Sequence, residues 1–202
     1  TGLAALRAEQ AVWQLKREVE KILAAVTRLE TLHWPVQPPP ALDAPRPTLL
    51  HPKYCLLPYG GPGYLSAKQD LLDWAQGLKA NGLYGLRVIT GAGGRGKTRL
   101  MIEVGGVLRA QGWQVGFLSV GHPGEDSAAA LTPNPGPLLL ILDYIETRQK
   151  DCETLLRAMA SARKIGERQE PLALVLIERE APGWLMHMLE RSGGGEYIDW
   201  PE

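Results

Sequence analysis

The chain has 202 residues, 45% of them hydrophobic, with 22 Lys plus Arg balanced by 22 Asp plus Glu. A formal charge of zero argues against a nucleic-acid or membrane-surface binder that works by bulk charge, since such proteins carry a basic excess. The hydrophobic share supports a folded core, and no apolar run approaches the roughly 20 residues that span a bilayer.

Only two cysteines occur, Cys55 and Cys152, too few for a disulfide framework and without ligand neighbours at zinc spacing. They read as packing residues of a reducing, cytoplasmic setting. His33, His51, His122 and His187 are scattered, which disfavours a metal site built from side chains. Beginning at Thr1, the sequence is expected to be an internal segment, or a trimmed form, of a longer chain.

Residues 1–33 read as a long amphipathic helix. Ala5, Ala8, Val12, Leu15, Val19, Ile22, Val26 and Leu29 recur at alternating spacings of three and four, a heptad-like seam without Gly or Pro. Leu23, Ala11 and Ala25 widen the stripe, so the helix suits either self-association or packing on a neighbouring domain. Residues 34–62 form the linker. Nine of the sixteen prolines lie between His33 and Pro62, so this stretch is expected to run extended as a semi-rigid spacer. Residues 63–202 are the expected globular core.

That core opens with a helix whose start fits a capping box at Ser66-Ala67-Lys68-Gln69 and whose stop is Asn81-Gly82. Strands then alternate with helices: a strand over 86–90, a helix over 97–110, strands over 114–119 and 138–142. A helix over 151–165, a strand over 172–177 and a last helix opened by Pro182 follow. Apolar strands alternating with helices imply a parallel α/β sheet covered on both faces.

Gly91-Ala92-Gly93-Gly94-Arg95-Gly96-Lys97-Thr98 matches G-x-x-x-x-G-K-[ST] in full, between an apolar strand and an amphipathic helix. Glycines let successive backbone N–H groups turn toward a phosphate, and the following helix points its positive end at the same anion. Lys97 is placed to neutralise the β- and γ-phosphates and Thr98 to offer its hydroxyl to Mg²⁺. Arg99 continues the segment as a further phosphate-side candidate. Leu138–Leu142 followed by Asp143 is an apolar strand ending in an acid, the Walker B pattern, which puts Asp143 beside the same metal.

The residue after Asp143 is Tyr144, where many hydrolytic relatives carry a second acid. Glu146 is either the group that orients the attacking water or a solvated residue at a helix start. Arg179, directly after the fourth strand, either senses the γ-phosphate or pairs with Glu178 or Glu180. Ser192-Gly193-Gly194-Gly195-Glu196 imitates an ABC-transporter signature but follows the Walker B strand instead of preceding it. No N-K-x-D guanine reader occurs, which favours adenine.

One strand lies between the Walker strands in sequence and an Arg-ended strand follows, which resembles the AAA+-related STAND NTPases (ASCE division; NACHT and NB-ARC proteins among them). The likeness to a bacterial STAND group is carried by Thr90–Leu100, by Gly112–Leu118 and by Leu142-Asp143-Tyr144-Ile145-Glu146-Thr147-Arg148, which looks like a D-Y-A-E signature with Ile145 for Ala. The resemblance implies a P-loop NTPase sheet of order 5-1-4-3-2 with ATP over its C-terminal edge. It implies ADP holding a closed monomer, ATP an open oligomer, slow ATP hydrolysis, and coupling to effector and sensor domains outside this segment. In bacteria such proteins serve antiphage or other conflict defence, or transcription control. Against the pattern, Tyr59-Gly60-Gly61 stands where the family has a V-G-R box, and the chain ends before a clear fifth strand, so the core is expected to be incomplete. The competing readings are a turnover P-loop ATPase or kinase, and a scaffold that holds nucleotide permanently.

Overall fold

Residues 32–36, 60–118, 136–165, 170–180 and 183–192 are described by the structure, a computed structural model. The heptad-patterned helix and most of the Pro-rich linker lie outside the described residues. The elements in chain order are β1 (Leu32–His33), α1 (Pro62–Asn81), β2 (Tyr84–Ile89), α2 (Lys97–Ala110), β3 (Gln114–Leu118) and β4 (Leu138–Leu142). A 3₁₀ turn over Ile145–Thr147, α3 (Gln149–Ile165), β5 (Leu172–Ile177) and α4 (Gly183–Ser192) complete the series.

The five strands form one sheet of order β1-β3-β4-β5-β2, with β2 to β5 mutually parallel and β1 antiparallel to β3. Counting the strand before the glycine-rich loop as the first, the parallel part reads 1-4-3-2, as expected. Among the described residues no strand pairs with the far edge of β2. Every residue of β4 and β5 is buried, because helices cover both faces, and this is why the two strands read as unbroken apolar runs. On one face Leu138, Leu140, Leu142, Leu172, Leu174 and Leu176 pack with Leu155, Leu156 and Met159 of α3 and with Leu185 and Met188 of α4. On the other, Leu139, Ile141, Ala173, Val175 and Ile177 meet Leu71, Leu72 and Ala75 of α1 and Met101, Val104 and Leu108 of α2.

Three of the differences from the expected boundaries have a clear local reason. Helix α1 begins at Pro62, four residues before Ser66. Its N-cap is Gly61, with no side-chain cap, so the fixed φ of a first-turn proline starts the helix and the capping box is not used. Its end at Gly82, in the left-handed region, is the predicted one. Leu32 and His33 form an edge strand instead of ending the N-terminal helix. Gly116 of β3 admits this strand: a Cβ there would stand 2.7 Å from Cβ of Leu32. Strand β2 starts at Tyr84, two residues before the expected position, because Tyr84 and Gly85 already pair with Leu172 and Ala173.

Register sets the geometry of the site. Ile89 lies opposite Ile177, and Leu142 opposite Leu176, so β2, β4 and β5 finish at one level. Their C-terminal ends deliver the glycine-rich loop, Asp143 and Glu178 to one edge.

Candidate functional site

The loop from β2 to α2 is shaped by backbone conformations that only glycine holds without strain. Gly94 has φ +76° and Gly96, the N-cap of α2, has φ +84°. No side chain caps α2 and its first turn holds no acid, so the leading N–H groups and the positive end of the helix face the cleft unneutralised. The Lys97 ammonium folds over the loop and donates to the carbonyl oxygen of Gly91 and to that of Ala92, the latter at 3.1 Å. The loop is also tied to β5, since Gly91 N–H donates to the Arg179 carbonyl at 3.3 Å.

Thr98 and Asp143, 45 positions apart, meet directly: Thr98 Oγ1 donates to Asp143 Oδ2 at 2.6 Å. The fold is the P-loop type of parallel α/β sheet. Asp143 Oδ1 accepts from Tyr144 N–H at 2.9 Å. Burial pushes the Asp143 carboxyl above the usual Asp range. The Thr98 hydroxyl, the Tyr144 N–H and the Lys97 charge pull the other way, and the Glu146 charge adds to the rise. A carboxylate that is costly to ionise where it stands is stabilised by a cation beside it.

Tyr144 is the one non-glycine residue with positive φ among the described residues, at φ 57° and ψ 48°. Its side chain is exposed, and its carbonyl accepts from Thr147 N–H at 3.1 Å and Thr147 Oγ1 at 3.0 Å. This left-handed residue reverses the chain into the 3₁₀ turn, sending Ile145 into the core and returning Glu146 to the cleft. Arg179 Nε lies 3.8 Å from Glu146 Oε1 on the rim, with its side chain 65% exposed. Arg99 reaches the same cleft while bonding Glu103 through Nε at 3.1 Å and a terminal nitrogen at 2.9 Å.

A cleft of about 210 Å³ therefore gathers Gly93, Gly94, Gly96, Lys97, Thr98, Arg99, Asp143, Glu146 and Arg179. Gly91 and Ala92 act on it through the carbonyl oxygens that hold Lys97. A second groove, of about 440 Å³, continues from Gly94, Arg95, Gly96 and Lys97 toward Tyr64, Ala67 and Leu100. Arg95 lies on that side.

Glu178 also lines the cleft, although its place in the sequence at first suggests only a partner for Arg179. The signal was present: an acid directly after the all-apolar run Leu172–Ile177, the same logic that selected Asp143. Arg148, a buried cation, braces the segment after β4. It bonds Asp151 at 2.9 Å and the Leu118 carbonyl at 2.9 Å, tying the end of β3 to that segment.

No family model and no curated protein matches the chain. Among solved structures it is similar to a DNA replication initiation factor, at 16% identity over 71% of this chain and 47% of that one, TM-score 0.42. It is similar also to AMPPCP-bound DnaA from Aquifex aeolicus, at 18% identity over 76% and 51%, TM-score 0.42. A third is PCH-2 of C. elegans, at 13% identity over 66% and 42%, TM-score 0.39. The chain spans about half the length of these proteins.

Proposed function

We propose that this chain binds ATP or ADP with Mg²⁺ at the cleft between α2, β4 and β5, and uses the nucleotide as a switch on self-association. The observation that carries the reading is the Thr98–Asp143 hydrogen bond of 2.6 Å, which joins two distant motifs at the open end of an anion-binding helix. The loop N–H groups and Lys97 take the phosphates. The hydroxyl of Thr98 and the carboxylate of Asp143 are hard oxygen donors and fit Mg²⁺. Among the described residues no cluster of three or more His, Cys, Asp or Glu could hold a metal by itself, which suits an ion shared between a carboxylate, a hydroxyl and phosphates. When bound, Mg²⁺ neutralises charge on the phosphate oxygens. The groove lined by Tyr64, Ala67 and Leu100 gives the base an apolar bed beside the phosphates, and without an N-K-x-D reader the base is adenine.

Hydrolysis is slow in this reading. Tyr144 occupies the position next to Asp143, and the water-orienting duty falls to Glu146, with Arg179 beside it on the γ-phosphate side. The STAND resemblance supplies the rest: an ATP-bound form that assembles, coupling to effector and sensor segments outside this chain, and a defence role in bacteria; the two lone cysteines suit a cytoplasmic setting. Among the described residues no helix is long and apolar enough to cross a membrane. Light scattering on the longest parent chain tests the switch. A rise in mass with a non-hydrolysable ATP analogue but not with ADP, absent in Lys97→Ala, is the expected result. An unchanged mass with rapid steady turnover would replace the switch by a solitary ATPase.

A further inference from the structure

Glu178 is 5% exposed, at the end of the strand that lies between the two motif-bearing strands. Its backbone is fixed, because Glu178 N–H donates to the Ile89 carbonyl at 3.0 Å. One carboxyl oxygen, Oε1, accepts from Arg179 N–H at 2.9 Å. The other, Oε2, is buried and has no donor. Oε2 of Glu146 is buried and without a donor in the same way, and the two side chains lie within hydrogen-bonding reach of each other across the cleft.

Ionised carboxylates only accept hydrogen bonds. Two of them in this position would leave both oxygens unsatisfied and their charges opposed, whereas one proton between them satisfies both. We propose that Glu146 and Glu178 share a single proton and act as one unit, with Glu178 the positioning residue that holds the Glu146 carboxyl toward the attacking water. This rests on the hydrolytic part of the reading above.

The surrounding charges are consistent with one shared proton. From α2, Lys97 is engaged by the loop carbonyls and Arg99 by Glu103. Asp143, after β4, adds negative charge beside Glu146, and Arg179 supplies a cation on the rim. Cys152 of α3 adds no charge near neutrality, since burial first and its acidic neighbours second push its thiol up to about 12. Burial, and then the Glu146 carboxyl, hold Glu178 above the usual range against the pull of the Arg179 N–H and charge.

In the reaction, the water oxygen bonds the γ-phosphorus while the bond from that phosphorus to the β–γ bridging oxygen breaks. The bond electrons leave with the diphosphate, and the water's proton passes to the Glu146–Glu178 pair, which returns it to solvent. Loss of the shared proton at high pH lets the two carboxylates repel and misplaces Glu146.

The test joins a pH–rate profile with infrared spectroscopy on the whole chain, in wild type, Glu178→Gln, Glu178→Ala and Glu146→Gln. In the wild type kcat falls on the alkaline side with KM unchanged. Glu178→Gln keeps the shape and donates an amide hydrogen that cannot be lost, so its kcat is lower but the alkaline fall disappears. Glu178→Ala loses at least about tenfold in kcat at every pH. A protonated-carboxyl band is expected at neutral pH in the wild type and in neither glutamine variant. An alkaline fall that persists in Glu178→Gln, or a wild type lacking that band, overturns the proposal. A band that behaves as expected in a chain that binds nucleotide without turnover upholds the pair and refutes the hydrolytic reading instead.

Discussion

Replacing Gly105 and, separately, its neighbour Gly106 with alanine should affect stability unequally, although both lie inside α2. A Cβ at Gly106 meets nothing within 4 Å, so Gly106→Ala gains the helix preference of alanine over glycine, about 1 kcal/mol. A Cβ at Gly105 would stand 2.7 and 2.9 Å from the Trp34 ring and 2.9 Å from Val115 Cγ1. If the indole stays, the overpacking costs about 1–3 kcal/mol. If it leaves, it gives up Phe117, whose ring centroid is 6.1 Å away at 57°. It also gives up the Arg109 guanidinium, 4.9 Å from its centroid. Together those contacts are worth about 1–2.5 kcal/mol. After the helix gain, Gly105→Ala is neutral to about 2 kcal/mol destabilising, so the neighbours differ by about 1–3 kcal/mol. Urea titration followed by circular dichroism measures the gap, with an unchanged slope as the control for two-state behaviour. In a Trp34→Ala background Gly105→Ala should become less costly, which the double-mutant cycle reads as coupling. Equal stabilisation by both alanines would refute the docking of Trp34 against α2.

Burial raises the Asp143 carboxyl in the fold. Its contribution to stability is therefore full below the ordinary carboxylate range and is lost as pH rises through the folded value. Asp143→Asn should be more stable than wild type at pH 7, with the gap closing in acid, and should lose Mg²⁺-dependent nucleotide binding; thermal melts across pH and calorimetry check both. Cys152, buried with its thiol pushed up to about 12, should resist alkylation at neutral pH until the protein unfolds, as site-resolved mass spectrometry would show. Gly94→Ala, at φ +76° with open space around it, should cost about 1–2 kcal/mol and weaken phosphate binding, whereas Gly93→Ala, also in open space, should be nearly neutral in urea titration.

The strands that carry the site were legible because burial on both faces leaves a strong trace: Leu138–Leu142 and Leu172–Ile177 tolerate no polar residue. The glycine-rich loop was legible because its backbone demands residues that few other structures need. Strand β1 left no such trace. Two residues have no periodicity, and what admits them is the missing side chain of Gly116 on another strand. Glu146 could be nominated by its spacing from Asp143, but its return to the cleft depends on a left-handed Tyr144, a conformation that tyrosine does not advertise. Glu178 is hard to read from sequence because an acid after a strand resembles a surface residue until its neighbours cover it.

The most direct measurement is calorimetric titration of the 202-residue chain with ATP, with and without Mg²⁺, beside Lys97→Ala. Binding to the wild type should strengthen with Mg²⁺ and weaken at least about tenfold in a folded Lys97→Ala, as loss of a charge-assisted phosphate contact implies. Binding of equal strength in both proteins, or heat unchanged by Mg²⁺, would contradict the assignment of Gly91–Thr98 and Asp143 as the nucleotide site.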